Sequence, residues 1–328
     1  MIDLACVILA AGEGTRMKSS LSKVAHPLAG LPLVVHVLRA VLPLKPDPIV
    51  VIVPPGDAVI QGLVGEAARC VPQPELLGTG HALLQARPFL GEFSGDLLVL
   101  CGDAPLITRE SLDRLIAFHR AEKLAATVLT ARLEDPSGYG RIVRKASGRV
   151  GRIVEETDAD VFQKALEEVN SGTYCFRSPE IWAVLDRIGR LNRQNEYYLT
   201  DAVHVLVESG GAVDASLASD SDDILGINTR GDLARAEAVV QKRIVEELSR
   251  RGITVVQPAL TYIQAGAEIG EDTVILPFTL VERGARTGKG CRIGPFAHVR
   301  GGAVIPDGSE IKGERNMEFR NNCGLPRD

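Results

Sequence analysis

Residues 7–17 read VILAAGEGTRM. An apolar run stops at Ala10 and Ala11 and gives way to Gly12, Gly14, the hydroxyl of Thr15 and the cation of Arg16. A short apolar run bounded by glycines reads as a buried strand. Small residues directly after it let backbone N–H groups approach a ligand closely, and a cation at the tip suits an anionic ligand. The stretch is not a P-loop, because G-x-x-x-x-G-K-[ST] is absent, and not a Rossmann fingerprint, because the third glycine is missing. Gly12, Gly14 and Thr15 suit an N–H-lined concavity for phosphate, with Arg16 and Lys23 adding charge. On spacing alone, that cradle and a plain glycine turn with two surface cations stand level.

Outward from this stretch the pattern alternates. CVILAA reads as a strand, LPLVVHVLRAVL (31–42) as a helix and IVVIV (49–53) as a buried strand. GDAVIQGLVGEAARC (56–70) reads as a helix, DLLVLCGD (96–103) as a strand ending on Gly102-Asp103, and ESLDRLIAFHRAEK as a helix. Strands alternating with helices predict an α/β, Rossmann-like, mostly parallel sheet over residues 1–228. Ligands of such sheets bind beyond the carboxyl ends of strands. Both LAAGEGTR and LCGD fall at such ends, so one shared crevice is expected.

Residues 229–252 predict a connecting helix, with Leu233, Ala236, Val240, Ile244 and Leu248 at three- and four-residue steps and Gly252 as its stop. After it the period becomes six. Counted from Thr261, the third place of each hexad is Ile263, Ile269, Ile275, Val281, Thr287, Ile293, Val299, Ile305 and Ile311, and the first place is always small. This hexapeptide repeat predicts a short left-handed parallel β-helix over 253–314, three hexads to a coil. A stack so short leaves exposed ends and is expected to pack against other copies. The tail, 315–328, loses the pattern.

The 328 residues suit two domains. A net charge of −5 leaves no basic footprint for nucleic acid. No apolar run approaches the ~20 residues of a membrane span, and the N-terminus reads as a core strand, not a signal peptide. The six cysteines (6, 70, 101, 175, 291, 323) form no C-x-x-C pair, and several sit in apolar runs. They read as reduced thiols of a cytoplasmic protein. The six histidines show no metal-ligand spacing.

LAAGEGTRM followed by KVAHPLAG resembles the sugar-nucleotidyltransferase pattern, in the form of the bifunctional N-acetylglucosamine-1-phosphate uridyltransferase / glucosamine-1-phosphate acetyltransferase family. PQPELLGTGHA (72–82), CGDAPLI, SGYGRIVR (137–144), IVEETDA (153–159), EVNSGTYCF (168–176), QNEYYLTD (194–201) and GINTR (226–230) match in the family's order, and a hexapeptide helix then follows. The resemblance implies uridylyl transfer from UTP to N-acetylglucosamine 1-phosphate, giving UDP-N-acetylglucosamine, a cell-wall precursor, and pyrophosphate. It places Leu9, Ala10, Ala11, Gly12, Gly14, Thr15, Gln73, Gly78 and Thr79 on the nucleotide. It places Gly140, Glu155, Asn170 and Thr200 on the sugar, with one residue more between Gly140 and Glu155 than the family spacing and Glu156 directly after. Arg16 and Lys23 would offset phosphate charge, and Asp103 and Asn228 would hold Mg2+, which favours a few protein oxygens plus phosphate. Read alone, Gln73 is an ordinary solvated loop residue and Asn170 a strand-edge residue, while Asp103 fits a helix N-cap before APLITRE and a metal ligand equally, its place at the CGD strand end favouring the metal.

In the family such helices trimerise, so a homotrimer is expected. The resemblance carries Arg300 to the acetyl-transfer site, while His298 is not at the family's catalytic position, and no acetyltransferase activity is expected. Two other readings are a pyrophosphorylase for another sugar 1-phosphate or nucleotide, such as UTP or dTTP with glucose 1-phosphate, and a non-catalytic sugar-nucleotide sensor.

Overall fold

The computed structural model describes residues 3–313; the tail and Cys323 lie outside them. The chain divides into two compact units, residues up to Glu237 and residues from Ala238 on.

The first unit is built on nine principal strands: β1 (Leu4–Leu9), β2 (Ile49–Val53), β3 (Arg69–Pro72), β4 (Asp96–Cys101), β5 (Ala126–Arg132), β6 (Arg141–Arg144), β7 (Val150–Val154), β8 (Glu168–Arg177) and β9 (Val213–Leu217). They form one sheet in the order β9-β5-β8-β4-β1-β2-β3, with the β6–β7 hairpin joined to β8. Six strands on that path point one way, and β8 runs against its neighbours β4 and β5. The main helices are α1 (Leu33–Val41), α2 (Ala58–Val64), α3 (Thr79–Leu84), α4 (Arg109–Ala121), α5 (Ser178–Leu185), α6 (Leu199–Glu208) and α7 (Arg230–Arg250).

The strands read as continuous apolar runs because both sheet faces are covered. Ala5 and Val7 of β1 join a core with Leu83 of α3, Ile181 of α5 and Val203 of α6. Cys6 and Ile8 join the opposite core with Val37 of α1 and Leu112 of α4. Each fully buried aliphatic side chain contributes about 1.5–3 kcal/mol, so the two cores hold the central strands from both sides.

The helix expected over 56–70 is shorter. It ends at Val64, Gly65 takes φ +58°, and Arg69–Pro72 becomes β3, paired in parallel with Val50–Val53. Likewise α1 starts at Leu33, because Leu31–Pro32 is taken up in a small hairpin with Pro27–Leu28.

In the second unit the chain coils into a parallel β-helix. The pairings Ile263↔Val281↔Val299, Ile275↔Ile293↔Ile311 and Thr287↔Ile305 all step by 18 residues, three hexads to a coil. Ile263, Ile269, Ile275, Val281, Ile293, Val299 and Ile305 form its buried core with Leu248 of α7. Thr287 in the same place is only half-buried; its hydroxyl accepts from Gly270 N–H instead. The five cysteines among the described residues are free, and no helix there is long and apolar enough to cross a membrane.

Candidate active site

β1 and β4 are neighbours in register, with Leu9 opposite Cys101. Gly102 N–H donates to the Leu9 carbonyl at 2.8 Å, so the two loops separate directly at the strand ends. Two adjoining clefts open there, of about 450 and 950 Å³, and they share Leu9, Arg16, Thr79, Cys101, Asp103 and Asn228.

The smaller cleft is floored by Leu9, Ala10, Ala11 and Gly12 and walled by Gly14, Thr15, Arg16, Lys23, Gln73, Gly78 and Thr79. A Cβ on Gly12 would meet nothing within 4 Å, so that backbone is open to a ligand. Gly14 has φ +62°, and a Cβ there would lie 2.6 Å from the Lys23 Cβ. Glycine is therefore required twice at that position, by backbone conformation and by the Lys23 stem. Gln73 is not a solvated loop residue: it is 3 % exposed. Its amide is held between the Gly78 carbonyl at 3.2 Å and His81 Nδ1 at 3.1 Å. Thr79 Oγ1 accepts from Leu199 N–H at 3.0 Å, fixing the start of α6 against this wall.

Where the clefts meet, Lys23 Nζ pairs with Asp103 Oδ2 and stands 3.2 Å from Asn228 Oδ1, while Arg16 Nη2 donates to the same Asn228 oxygen at 2.9 Å. Ile227 N–H donates to the Asp103 carbonyl at 2.8 Å, tying the two loops together. Asp232, in the first turn of α7, fixes the Asn228 loop: its Oδ2 accepts from Asn228 N at 3.1 Å, Thr229 N at 2.8 Å and Thr229 Oγ1 at 2.9 Å. One carboxylate and one amide oxygen thus converge on a single cationic point. That all-oxygen pair fits a hard divalent ion whose remaining shell is water and phosphate oxygen. Among the described residues no cluster of three or more His, Cys, Asp or Glu could hold a metal by itself, so such an ion would depend on a ligand's oxygens.

The larger cleft brings together Gly140, Glu155, Asn170 and Thr200. A Cβ on Gly140 would lie 3.1 Å from Ile153 Cγ2 and 3.4 Å from Glu155 Oε2. Glu155 Oε1 accepts from Thr200 Oγ1 at 3.0 Å. Burial pushes the Glu155 carboxyl above its ordinary range; the Thr200 hydrogen bond works against this, and the charges of Asp201, Asp158 and Glu196 add to it. Asn170 lies at an irregularity in β8, not in a plain strand. Its Nδ2 donates to Tyr174 Oη at 2.8 Å and its Oδ1 accepts from Gly172 N–H at 3.0 Å.

The neighbouring Glu156 is turned to other work. It pairs at 2.7 Å with Arg141, which is 1 % exposed, and it does not line either cleft. The extra residue between Gly140 and this pair therefore leaves Glu155 on the cleft and Glu156 on the arginine.

All the sequence-predicted nucleotide, sugar, cation and metal residues of the first unit line one cleft or the other. Sequence reasoning missed Asp232 and Tyr174, which act through Asn228 and Asn170 and carry no motif of their own. In the second unit, His298 is exposed with Nε2 2.7 Å from Glu282 Oε1, and Arg300 is exposed.

Residues 6–169 match the MobA-like NTP transferase domain, half of the chain, and the chain belongs to that family. Among individual proteins it is similar to the bifunctional protein GlmU of Halalkalibacterium halodurans, 47% identical over 274 residues, which cover 84% of this chain and 60% of that one. The bifunctional protein GlmU of Pelotomaculum thermopropionicum is 46% identical over 278 residues (85% and 61%), and that of Enterococcus faecalis 45% identical over 269 (82% and 59%). The chain spans about three fifths of the length of these curated relatives.

Proposed function

We propose that the first unit transfers a uridylyl group from UTP to N-acetylglucosamine 1-phosphate, releasing pyrophosphate. The observation that carries this reading is the shared wall between the clefts. A small-residue floor with a basic rim lies on one side and Gly140, Glu155, Asn170 and Thr200 on the other, and Asp103, Asn228 and Arg16 belong to both.

Uridine lies against Leu9–Gly12, and Gln73, anchored by Gly78 and His81, meets the base. Gly140 leaves room for the acetamide; Glu155 and Asn170 take sugar hydroxyls. The attacking oxygen of the sugar phosphate is already anionic, so no general base is needed. It forms a bond to the α-phosphorus of UTP as the bond to the bridging oxygen breaks, and the electron pair leaves with pyrophosphate. Catalysis is then positioning and charge neutralisation. Arg16 and Lys23 supply fixed positive charge to the triphosphate. Asp103 and Asn228 would hold Mg2+, which would supply positive charge against the phosphates. Replacing Asp103 with Ala is expected to abolish Mg2+-dependent UDP-sugar formation, measured by product chromatography; full turnover in that variant contradicts the reading.

The reading also places the β-helix in a homotrimer. Leu260, Phe278 and Phe296 recur at 18-residue steps with 43%, 52% and 68% of their surface exposed, and the two phenyl rings stack at 4.9 Å, an apolar column open to a neighbour. Sedimentation as a monomer contradicts this.

A further inference from the structure

The position of Lys23 goes beyond charge neutralisation at the triphosphate. Its backbone is fixed: it opens a short 3₁₀ turn (Lys23–Ala25), and its Cβ fills the space that only a glycine at 14 leaves free. Its ammonium reaches across to the two oxygens read above as metal ligands, pairing with Asp103 Oδ2 and standing 3.2 Å from Asn228 Oδ1. The pair is well sheltered, with side-chain exposures of 12% for Lys23 and 21% for Asp103. A sheltered ion pair is costly to separate unless each partner finds a replacement. A divalent ion cannot join the Lys23 ammonium on the same Asp103 carboxylate oxygen at contact distance without strong repulsion, and the Asn228 oxygen already accepts from Arg16 as well as from Lys23. The replacement partner for Lys23 is in the same cleft: Lys23, Arg16 and Gly14 line the wall where an incoming triphosphate would lie.

We propose that Lys23 is an internal competitor for the divalent cation. It holds Asp103 and Asn228 in the nucleotide-free protein, and the triphosphate draws its ammonium away and thereby opens the pair to metal. This rests on the reading of Asp103 and Asn228 as the metal-holding pair. The consequence is that Lys23, by holding the Asp103 carboxylate, weakens divalent-metal binding in the free protein, and that metal enters productively with the nucleotide. A metal held without nucleotide would leave Lys23 unpaired, and a triphosphate held without metal would leave Asp103 unneutralised. Each half of the exchange makes the other favourable.

The test is direct binding of Mn2+ to the nucleotide-free, full-length chain, followed by loss of the free-ion electron paramagnetic resonance signal. Lys23→Met keeps the apolar stem and removes the charge; Lys23→Gln is a second variant in case the first folds poorly. Lys18→Met makes the same charge change at an exposed residue of the neighbouring turn. The account expects Mn2+ affinity to rise at least tenfold in Lys23→Met or Lys23→Gln, about 1.4 kcal/mol, and to stay near wild type in Lys18→Met. Adding Asp103→Ala to Lys23→Met is expected to cancel the gain. Equal affinities of wild type and both Lys23 variants, or a gain that survives Asp103→Ala, overturn the proposal. If Mg2+-dependent turnover needs Asp103 but the Lys23 variants bind Mn2+ no better, the competitor role alone falls. If turnover survives Asp103→Ala, the metal-pair reading falls and takes this proposal with it.

Discussion

Two adjacent glutamates offer a clean test of how the larger cleft is built. Glu156→Gln removes the counter-charge of Arg141, which is 1 % exposed, whereas Glu156 itself is 31% exposed. Breaking a fully buried pair costs about 3–5 kcal/mol. Arg141 keeps hydrogen bonds to the Tyr139 and Lys164 carbonyls, and solvent reaches Glu156, so about 2 kcal/mol of destabilisation is expected here. For a unit of this size that lowers the melting temperature by roughly 4–8 °C.

Glu155→Gln works in the opposite direction. Its carboxyl is raised by burial, and Gln keeps an oxygen for the Thr200 hydroxyl. A raised carboxyl pKa means that the ionised form is disfavoured in the fold. The wild-type penalty is therefore present above the folded pKa and is relieved as the pH falls toward the unfolded value. The variant is expected to be as stable as wild type or more so at neutral pH, with the advantage fading in acid. Losing a charged hydrogen bond to the sugar costs about 1.5–3 kcal/mol, so kcat/KM for the sugar phosphate is expected to fall roughly 10- to 100-fold. Thermal unfolding across pH, with kcat/KM for each substrate, measures both. The reasoning is refuted if Glu156→Gln loses sugar-phosphate turnover at unchanged stability while Glu155→Gln unfolds early.

Gly14→Ala forces a left-handed conformation on a residue with a Cβ, worth about 1–2 kcal/mol, and drives that Cβ to 2.6 Å from Lys23. Turnover is expected to fall more than tenfold together with stability; steady-state kinetics at wild-type rate would contradict the placement of Lys23. Ile293→Ala empties a fully buried site of the β-helix column and is expected to cost about 2–5 kcal/mol in that unit. Unfolding monitored in the second unit checks this, and an unchanged transition would contradict the hexad core.

The class of fold was legible because burial writes itself into period. CVIL and IVVIV are apolar at every place since both sheet faces are covered, and the hexads keep a small first place and an aliphatic third place because the residues at both places are mostly buried in the coil. Pairing partners were not legible. β8 enters antiparallel between β4 and β5, and nothing local in EVNSGTYCFR announces it, since sheet partners are chosen by long-range packing. β3 was hidden for a related reason: Arg69–Pro72 is an edge strand with little apolar signal, and the helical period of the preceding residues ran over it. The site residues came from motifs in register, and their geometry came from partners with no motif. Asp232 under the Asn228 loop and Tyr174 under Asn170 are visible only once the chain has folded, and the extra residue before Glu155 acquired meaning only when Arg141 took Glu156.

The central claim is that the two clefts hold a uridine triphosphate and an N-acetylated sugar phosphate side by side. Pyrophosphate release in Mg2+ from UTP or dTTP, each with N-acetylglucosamine 1-phosphate or glucose 1-phosphate, tests it most directly. The account predicts fastest release for UTP with N-acetylglucosamine 1-phosphate. Equal or faster release with glucose 1-phosphate or dTTP, or no release with any pair, contradicts it.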